Sequence, residues 1–142
     1  MQQAAEQRLG YLIKRAQQTL RAAMDGALRD LGVSTPQYAV LSLLAEEPGL
    51  SNAELARRAF VTAQTMHEIL ALLQLRGWVG RQSHPGGGRV RQTQLTDAGK
   101  DLLAAAQERV GAVEAQMVAD LDPRERQQLA AALNRCVTAL LP

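Results

Sequence analysis

Apolar positions along this chain recur mostly at helical spacing. Leu9, Leu12, Ile13, Ala16, Leu20, Ala23, Ala27 and Leu31 follow three- and four-residue steps and predict one long helix over 5–31. Gly32 closes it, since glycine takes the left-handed turn past a helix end without a side-chain clash. Ser34-Thr35-Pro36 restarts a helix, with a hydroxyl cap and a proline in the first turn, where its missing N–H is no loss. Leu41, Leu43 and Leu44 give this second helix a buried face, and Pro48-Gly49 stops it.

The middle of the chain changes rhythm. Ser51 and Glu54 have the spacing of a capping box for a short third helix, with Leu55 and Ala59 inward and an end near Phe60. Thr62 caps a fourth helix whose inward stripe is Met66, Ile69, Leu70 and Leu73. Its other face opens with Thr62, Ala63, Gln64, Thr65, His67 and Glu68, small or hydrogen-bonding groups gathered at the N-terminal turns. Two helices joined by a tight turn, the second polar at its outer N-terminus, form a helix-turn-helix. Gly77 ends the fourth helix. A strand from Trp78-Val79 to about Ser83 and a second from Val90 to Leu95 flank His84-Pro85-Gly86-Gly87-Gly88, predicting a glycine-tipped hairpin bordered by Arg81, Arg89 and Arg91. The triple glycine is no phosphate loop, because no Gly-Lys-Ser/Thr follows and no helix opens directly after it.

Two longer helices complete the pattern. Thr96-Asp97 caps a fifth, running to about Leu121, with Leu102, Leu103, Ala106, Val110, Val113, Met117 and Leu121 as its stripe. Asp122-Pro123-Arg124-Glu125 caps a sixth, whose face is Leu129, Ala132, Leu133, Cys136, Val137, Leu140 and Leu141. The predicted fold is mainly α: a winged helix-turn-helix of six helices and a small antiparallel β-wing. It divides into a head at 34–96 and long helices at 1–33 and 97–142, all in one domain. Such a head is too small to cover the apolar stripes of the long helices. A helix of about 25 residues extends about 37 Å. The economical solution is a two-fold homodimer through those helices, which sets two heads side by side on a duplex. Half-sites about 34–36 Å apart then imply a pseudo-palindromic operator.

Composition supports this reading. Of 142 residues, 46% are apolar and only 3% aromatic, which favours an Ala/Leu-rich helical protein over a β-sandwich. A single cysteine, Cys136, excludes an internal disulfide and fits a reducing compartment. The first fifteen residues lack the apolar core of a signal peptide, no run reaches membrane-spanning length, and a cytoplasmic protein is expected. The net charge of +2 is unevenly divided: residues 1–50 sum to zero, 51–100 to +4, and 101–142 to −2. The positive field therefore falls on the head, which suits a polyanion partner, although such a field taken alone is more often an ordinary solvated surface.

These residues together resemble the MarR family of transcriptional regulators over nearly the whole length. The resemblance is carried by STPQYAVLSLLAEEPGLSNAELARRAFV at 34–61, LQLRGWVGR at 73–81, Pro85 with Arg89, and LTDAG at 95–99. It implies a homodimeric DNA-binding regulator, often a repressor, released from its operator by a small ligand or oxidant acting near the dimerisation helices. The chain departs from the family pattern at Glu68, where an arginine is common, and at Ala71 and Leu72, where an Asp-Arg pair is common. It departs again at Gly87, the place of the wing aspartate. A carboxylate facing phosphate is repelled, so Glu68 points to a cytosine amino group or away from DNA.

The candidate contacts to double-stranded DNA are then Ser51, Asn52, Arg57, Thr62, Ala63, Gln64, Thr65, His67, Glu68, Arg89 and Arg91, with Arg58 a further phosphate candidate. The plain alternatives are a solvated helix side for Gln64, Thr65 and His67, and loose surface charge for Arg57, Arg58 and Arg91. Arg89 suits a narrow minor groove. Ser51 and Asn52 sit where backbone N–H groups at a helix start can meet phosphate, although capping alone accounts for Ser51. Tyr11, Arg15 and Tyr38 are candidates for a cleft holding a small anionic or phenolic effector, although core packing and surface charge account for the same residues. Cys136 reads as buried filler rather than a redox sensor, because Arg135 lies on another side of its helix. No metal-ligand spacing and no catalytic set appears, and no cofactor is expected. The competing class is a winged-helix dimer that serves as a protein-interaction scaffold, motivated by Glu68 and the missing wing aspartate. It would bind duplex without a steep salt dependence.

Overall fold

The computed structural model describes residue 4 and residues 8–83 and 91–142. In chain order the elements are α1 (Leu9–Leu28), a 3-10 turn (Arg29–Leu31), α2 (Thr35–Glu46), α3 (Asn52–Arg58), α4 (Ala63–Leu75), β1 (Val79–Ser83), β2 (Arg91–Leu95), α5 (Asp97–Met117) and α6 (Pro123–Leu140). Six helices and a two-stranded antiparallel sheet are the predicted architecture. The bounds differ at the ends of the long helices. The first helix tightens at Arg29 instead of continuing as α-helix to residue 31, and Gly32 then turns left-handed at φ 70°. Residues 5–7, the predicted start, lie outside the described residues. The fifth stops at Met117, and the turn at 118–120 replaces the predicted last turn to Leu121.

The N-terminal caps predicted from hydroxyl and carboxyl residues all form. Ser34 accepts from the Gln37 N–H while the Gln37 side chain accepts from the Ser34 N–H, a full capping box, and Asp122 and Glu125 repeat it at α6. Thr62 accepts from the Thr65 N–H, and Thr96 from the Gly99 N–H. At α3 the reciprocal half of the predicted box is absent. Ser51 Oγ accepts from the Glu54 N–H at 3.2 Å and donates to Glu54 Oε1 at 3.1 Å, so the carboxylate holds the hydroxyl instead of the backbone.

One core unites the head with the inner ends of the long helices. Leu28, Val40, Leu41, Leu55, Met66, Leu70 and Leu73 are completely or almost completely buried, with Leu103, Ala106 and Val110 of α5 joining them. The α4 stripe is buried as predicted. In α2, Val40, Leu41 and Leu44 are buried and Leu43 is half-buried. β1 and β2 pair in the register Val79↔Leu95 through Ser83↔Arg91, and Trp78 is a bend before the strand, not its first residue.

Polar ties fix how the head meets the long helices. Arg76, in the turn after α4, donates from Nη1 to the Gly32 carbonyl at 2.7 Å and lies 5.2 Å from the Trp78 ring centre. Thr96 Oγ1 donates to the Gly77 carbonyl at 2.6 Å, and its N–H donates to the Trp78 carbonyl. Gly99 packs so closely on this loop that an added Cβ would overlap the Trp78 carbonyl. Arg109 of α5 donates to the Ala27 carbonyl at 3.2 Å and approaches Asp30 at 3.6 Å.

The outer parts of α1 and α6 have no such cover. Leu9 is 75% exposed and Tyr11, Leu12 and Ile13 are all exposed, although they continue a regular helix. In α6 no residue is buried: Leu129, Leu133, Val137 and Leu140 remain exposed, and so does Cys136, against the expectation that it is buried filler. The stripe is real, but nothing among the described residues covers it.

Candidate nucleic-acid interface

The site is built on α4. Burial of Met66, Ile69, Leu70 and Leu73 fixes the rotation of this helix. The opposite face, with Ala63, Gln64, His67 and Glu68, is thereby turned to solvent. Thr62 caps the helix and is exposed, and its Oγ1 lies 3.0 Å from Thr65 Oγ1. Thr65 is half-buried and its hydroxyl serves this cap, so it is less available than the sequence suggested. Gln64 Nε2 donates to Glu68 Oε1 at 3.3 Å across one helical turn. That hydrogen bond uses one N–H of Gln64 and one oxygen of Glu68, so the pair keeps one amide N–H beside its amide and carboxylate oxygens.

Ser51 and Asn52 are exposed at the start of α3, and Arg57 is exposed near its end. Arg58 forms an ion pair with Glu47 at the surface, so a phosphate would compete with that carboxylate for it. Arg76 is held by Gly32 and Trp78. Glu47, outside the middle segment, therefore offsets one of its positive charges, whereas Arg76 keeps its charge and loses only its freedom of direction. Arg81, noted from the sequence only as a flanking charge, stands exposed on β1. Arg89 and the glycine tip lie outside the described residues, and Arg91 is described only as the first backbone position of β2.

Between α3 and α4, Phe60 adopts φ 58° and is 94% exposed. The sequence placed a helix end there without indicating that an aromatic residue would carry the left-handed turn. Glycine or asparagine is the usual signal for such a turn.

The three candidate effector residues do not converge. A groove of about 560 Å³ runs between α1 and α5, lined by Leu12, Arg15, Ala16, Leu20, Val113 and Met117 among others. Arg15 is on its wall, but Tyr11 and Tyr38 are not. Tyr38 instead packs half-buried against the core. Among the described residues no group of three His, Cys, Asp or Glu side chains could hold a metal ion, and no helix is long and apolar enough to cross a membrane.

A helix-turn-helix with a paired β-stem beside it, carrying a polar outer face on its second helix, defines the winged-helix class. Comparison with known proteins then narrows it. A sequence model of the MarR family matches residues 31–90. The HTH-type transcriptional repressor Rv2887 of Mycobacterium tuberculosis is 39% identical over 120 residues, 84% of this chain and 86% of its own. The structure of Rv2887 with salicylic acid superposes with a TM-score of 0.78 at 35% identity, covering 94% of this chain and 99% of that one. Its structure with DNA superposes at 0.74 with 34% identity, covering 91% and 97%. The chain belongs to the MarR family, and it is a DNA-binding transcriptional regulator.

Proposed function

We propose that this protein is a cytoplasmic homodimeric repressor that reads a pseudo-palindromic operator through α4 and is released by a small aromatic acid. The observation that carries the reading is the outer face of α4, whose exposed polar residues are held at a rigid, capped helix start by the burial of the opposite stripe. A helix presented this way fits the major groove, where side chains reach base edges. Glu68 offers acceptors and Gln64 both an acceptor and a donor, so the pair suits cytosine N4 or the N6 and N7 edge of adenine. Ser51, Asn52, Arg57 and Arg81 would meet phosphate, and Arg89 and Arg91 on the wing would reach the neighbouring backbone or minor groove. The solved complex of Rv2887 with DNA supports the same use of the head.

The exposed stripes of α1 and α6 support the dimer, because each large apolar side chain removed from water contributes roughly 1.5–3 kcal/mol and such surface is rarely left open. A second copy laid on the first through those helices closes both stripes at once. The α1–α5 groove, with Arg15 on an otherwise largely apolar wall, is the place for the effector. Salicylic acid and p-aminosalicylic acid are bound in structures of Rv2887. An effector bound there would favour a head spacing that no longer matches the operator, and operator and effector would weaken each other reciprocally.

The test is fluorescence anisotropy on the DNA upstream of the protein's own gene, beside an unrelated duplex, across a salt series. Sequence-preferring binding that weakens steeply with salt is expected, with further loss in Gln64→Ala and Arg89→Ala. Binding equal to that of the unrelated duplex, repeated after selection from genomic DNA, would remove the operator reading.

A further inference from the structure

The turn between α3 and α4 holds a side chain that the fold does not use. Phe60 is the only non-glycine residue at positive φ among the described residues, and it is 94% exposed. The turn itself is made by the backbone: the Phe60 N–H donates to the Arg57 carbonyl, and the Val61 N–H to the Ala56 carbonyl at 3.0 Å. Glycine can make the same bonds at this φ without a steric penalty. The ring therefore adds strain to the turn and buries almost nothing in return. A strained residue kept where the fold gains nothing points to a use outside the fold.

Its neighbours indicate that use. Phe60 lies between Arg57, exposed near the end of α3, and Thr62, the exposed cap of α4, so it is continuous with the face that α4 offers to DNA. Ala63, the first residue of α4, is also exposed and adds a methyl beside Gln64. Leu72 and Leu75, the other exposed large apolar side chains of the head, belong to the last turns of α4, away from this end. The apolar surface left for a second copy is on the long helices. An uncharged ring gains nothing from phosphate. In the major groove the apolar group open to it is the C5-methyl of thymine, a contact that phenylalanine is suited to make.

We infer that Phe60 is a specificity-determining residue, which reads a thymine methyl at the edge of the major groove where the start of α4 enters. The contact takes ring and methyl out of water together, and a cytosine at the same place offers no methyl to cover. Phe60 thus adds an apolar reading to the hydrogen-bonding one made by Gln64 and Glu68. This inference rests on the use of α4 as the operator reader.

The test is anisotropy with the full-length protein on its genomically selected operator, on an unrelated duplex, and on operators in which one symmetric pair of thymines at a time is replaced by deoxyuridine, which deletes only the methyl. Phe60→Gly and Phe60→Asn, both suited to a left-handed turn, are compared with the wild type, and melting temperatures show that each is folded. At one thymine pair the replacement is expected to weaken wild-type binding at least about fourfold, the worth of one methyl-sized group returned to water. The same replacement should leave both variants unaffected, and on the unmodified operator both should bind more weakly than the wild type by that factor. Undiminished binding by the variants, an equal loss on every duplex, or replacements that weaken wild type and variants alike each overturn the contact. A wild type with no preference for its operator removes the operator reading as well, whereas preference without this coupling removes only the role of Phe60.

Discussion

Gly99 and Phe60 occupy opposite extremes of backbone economy. At Gly99 the helix start lies against the Trp78 carbonyl with no room for a Cβ. Gly99→Ala must push α5 off the loop that also receives two hydrogen bonds from Thr96. Overpacking of this kind costs about 1–3 kcal/mol, and a lower denaturation midpoint at unchanged m-value would register it. Phe60 presents the reverse case: a bulky residue in the left-handed region that buries almost nothing in return. Phe60→Gly is expected to raise stability by up to ~1 kcal/mol, because the strain of the turn outweighs the added freedom of the unfolded chain. An unchanged or lower midpoint would mean that the aromatic ring has a use in the fold. On the outer face of α4, Gln64→Ala should cost about 1–3 kcal/mol against the preferred operator and little against random duplex. Arg57→Ala should weaken both alike and lower the salt slope by about 1. Anisotropy on the two duplexes separates these outcomes.

At the level of elements, the caps and stripes were legible because both are local. Ser34, Thr62, Thr96 and Asp122 each start a helix where a side-chain oxygen precedes an apolar rhythm, and the α4 stripe is buried at every predicted position. Thr62→Ala, which removes the cap from α4, is expected to cost about 1 kcal/mol and to loosen the N-terminal turn that carries Gln64, seen as faster amide exchange there. What was not legible depended on residues distant in sequence. Arg76 looked like one more positive charge in the head, yet it is committed across 44 positions to the Gly32 carbonyl. Arg58 was hidden in the same way by its pairing with Glu47. Tyr38 and Arg15 were grouped by chemistry, while the structure places one against the core and the other on the α1–α5 groove. The end of α1 was missed for a subtler reason. Apolar spacing cannot tell α-helix from a last 3-10 turn when Leu31 still packs inward.

Taken as a whole, the molecule is a finished head on an unfinished frame. The head and the inner halves of α1 and α5 share one core, whereas α6 buries no residue of its own and the outer half of α1 exposes Leu9, Leu12 and Ile13. The predicted homodimer closes this surface, so Leu133→Asp together with Val137→Asp should shift the protein from dimer to monomer in analytical ultracentrifugation. Operator affinity should fall by more than tenfold with the heads themselves intact. Melting of the wild type should also rise with protein concentration, as it does whenever folding and association are linked.

The bare face of α6 has a genetic consequence. A chain with a ruined head but sound long helices would still capture normal chains, leaving each resulting pair with one working reader. Such an allele should be dominant over the normal gene in a reporter strain carrying both. An allele that breaks α6 takes itself out of every pairing, and the same strain should show it to be recessive.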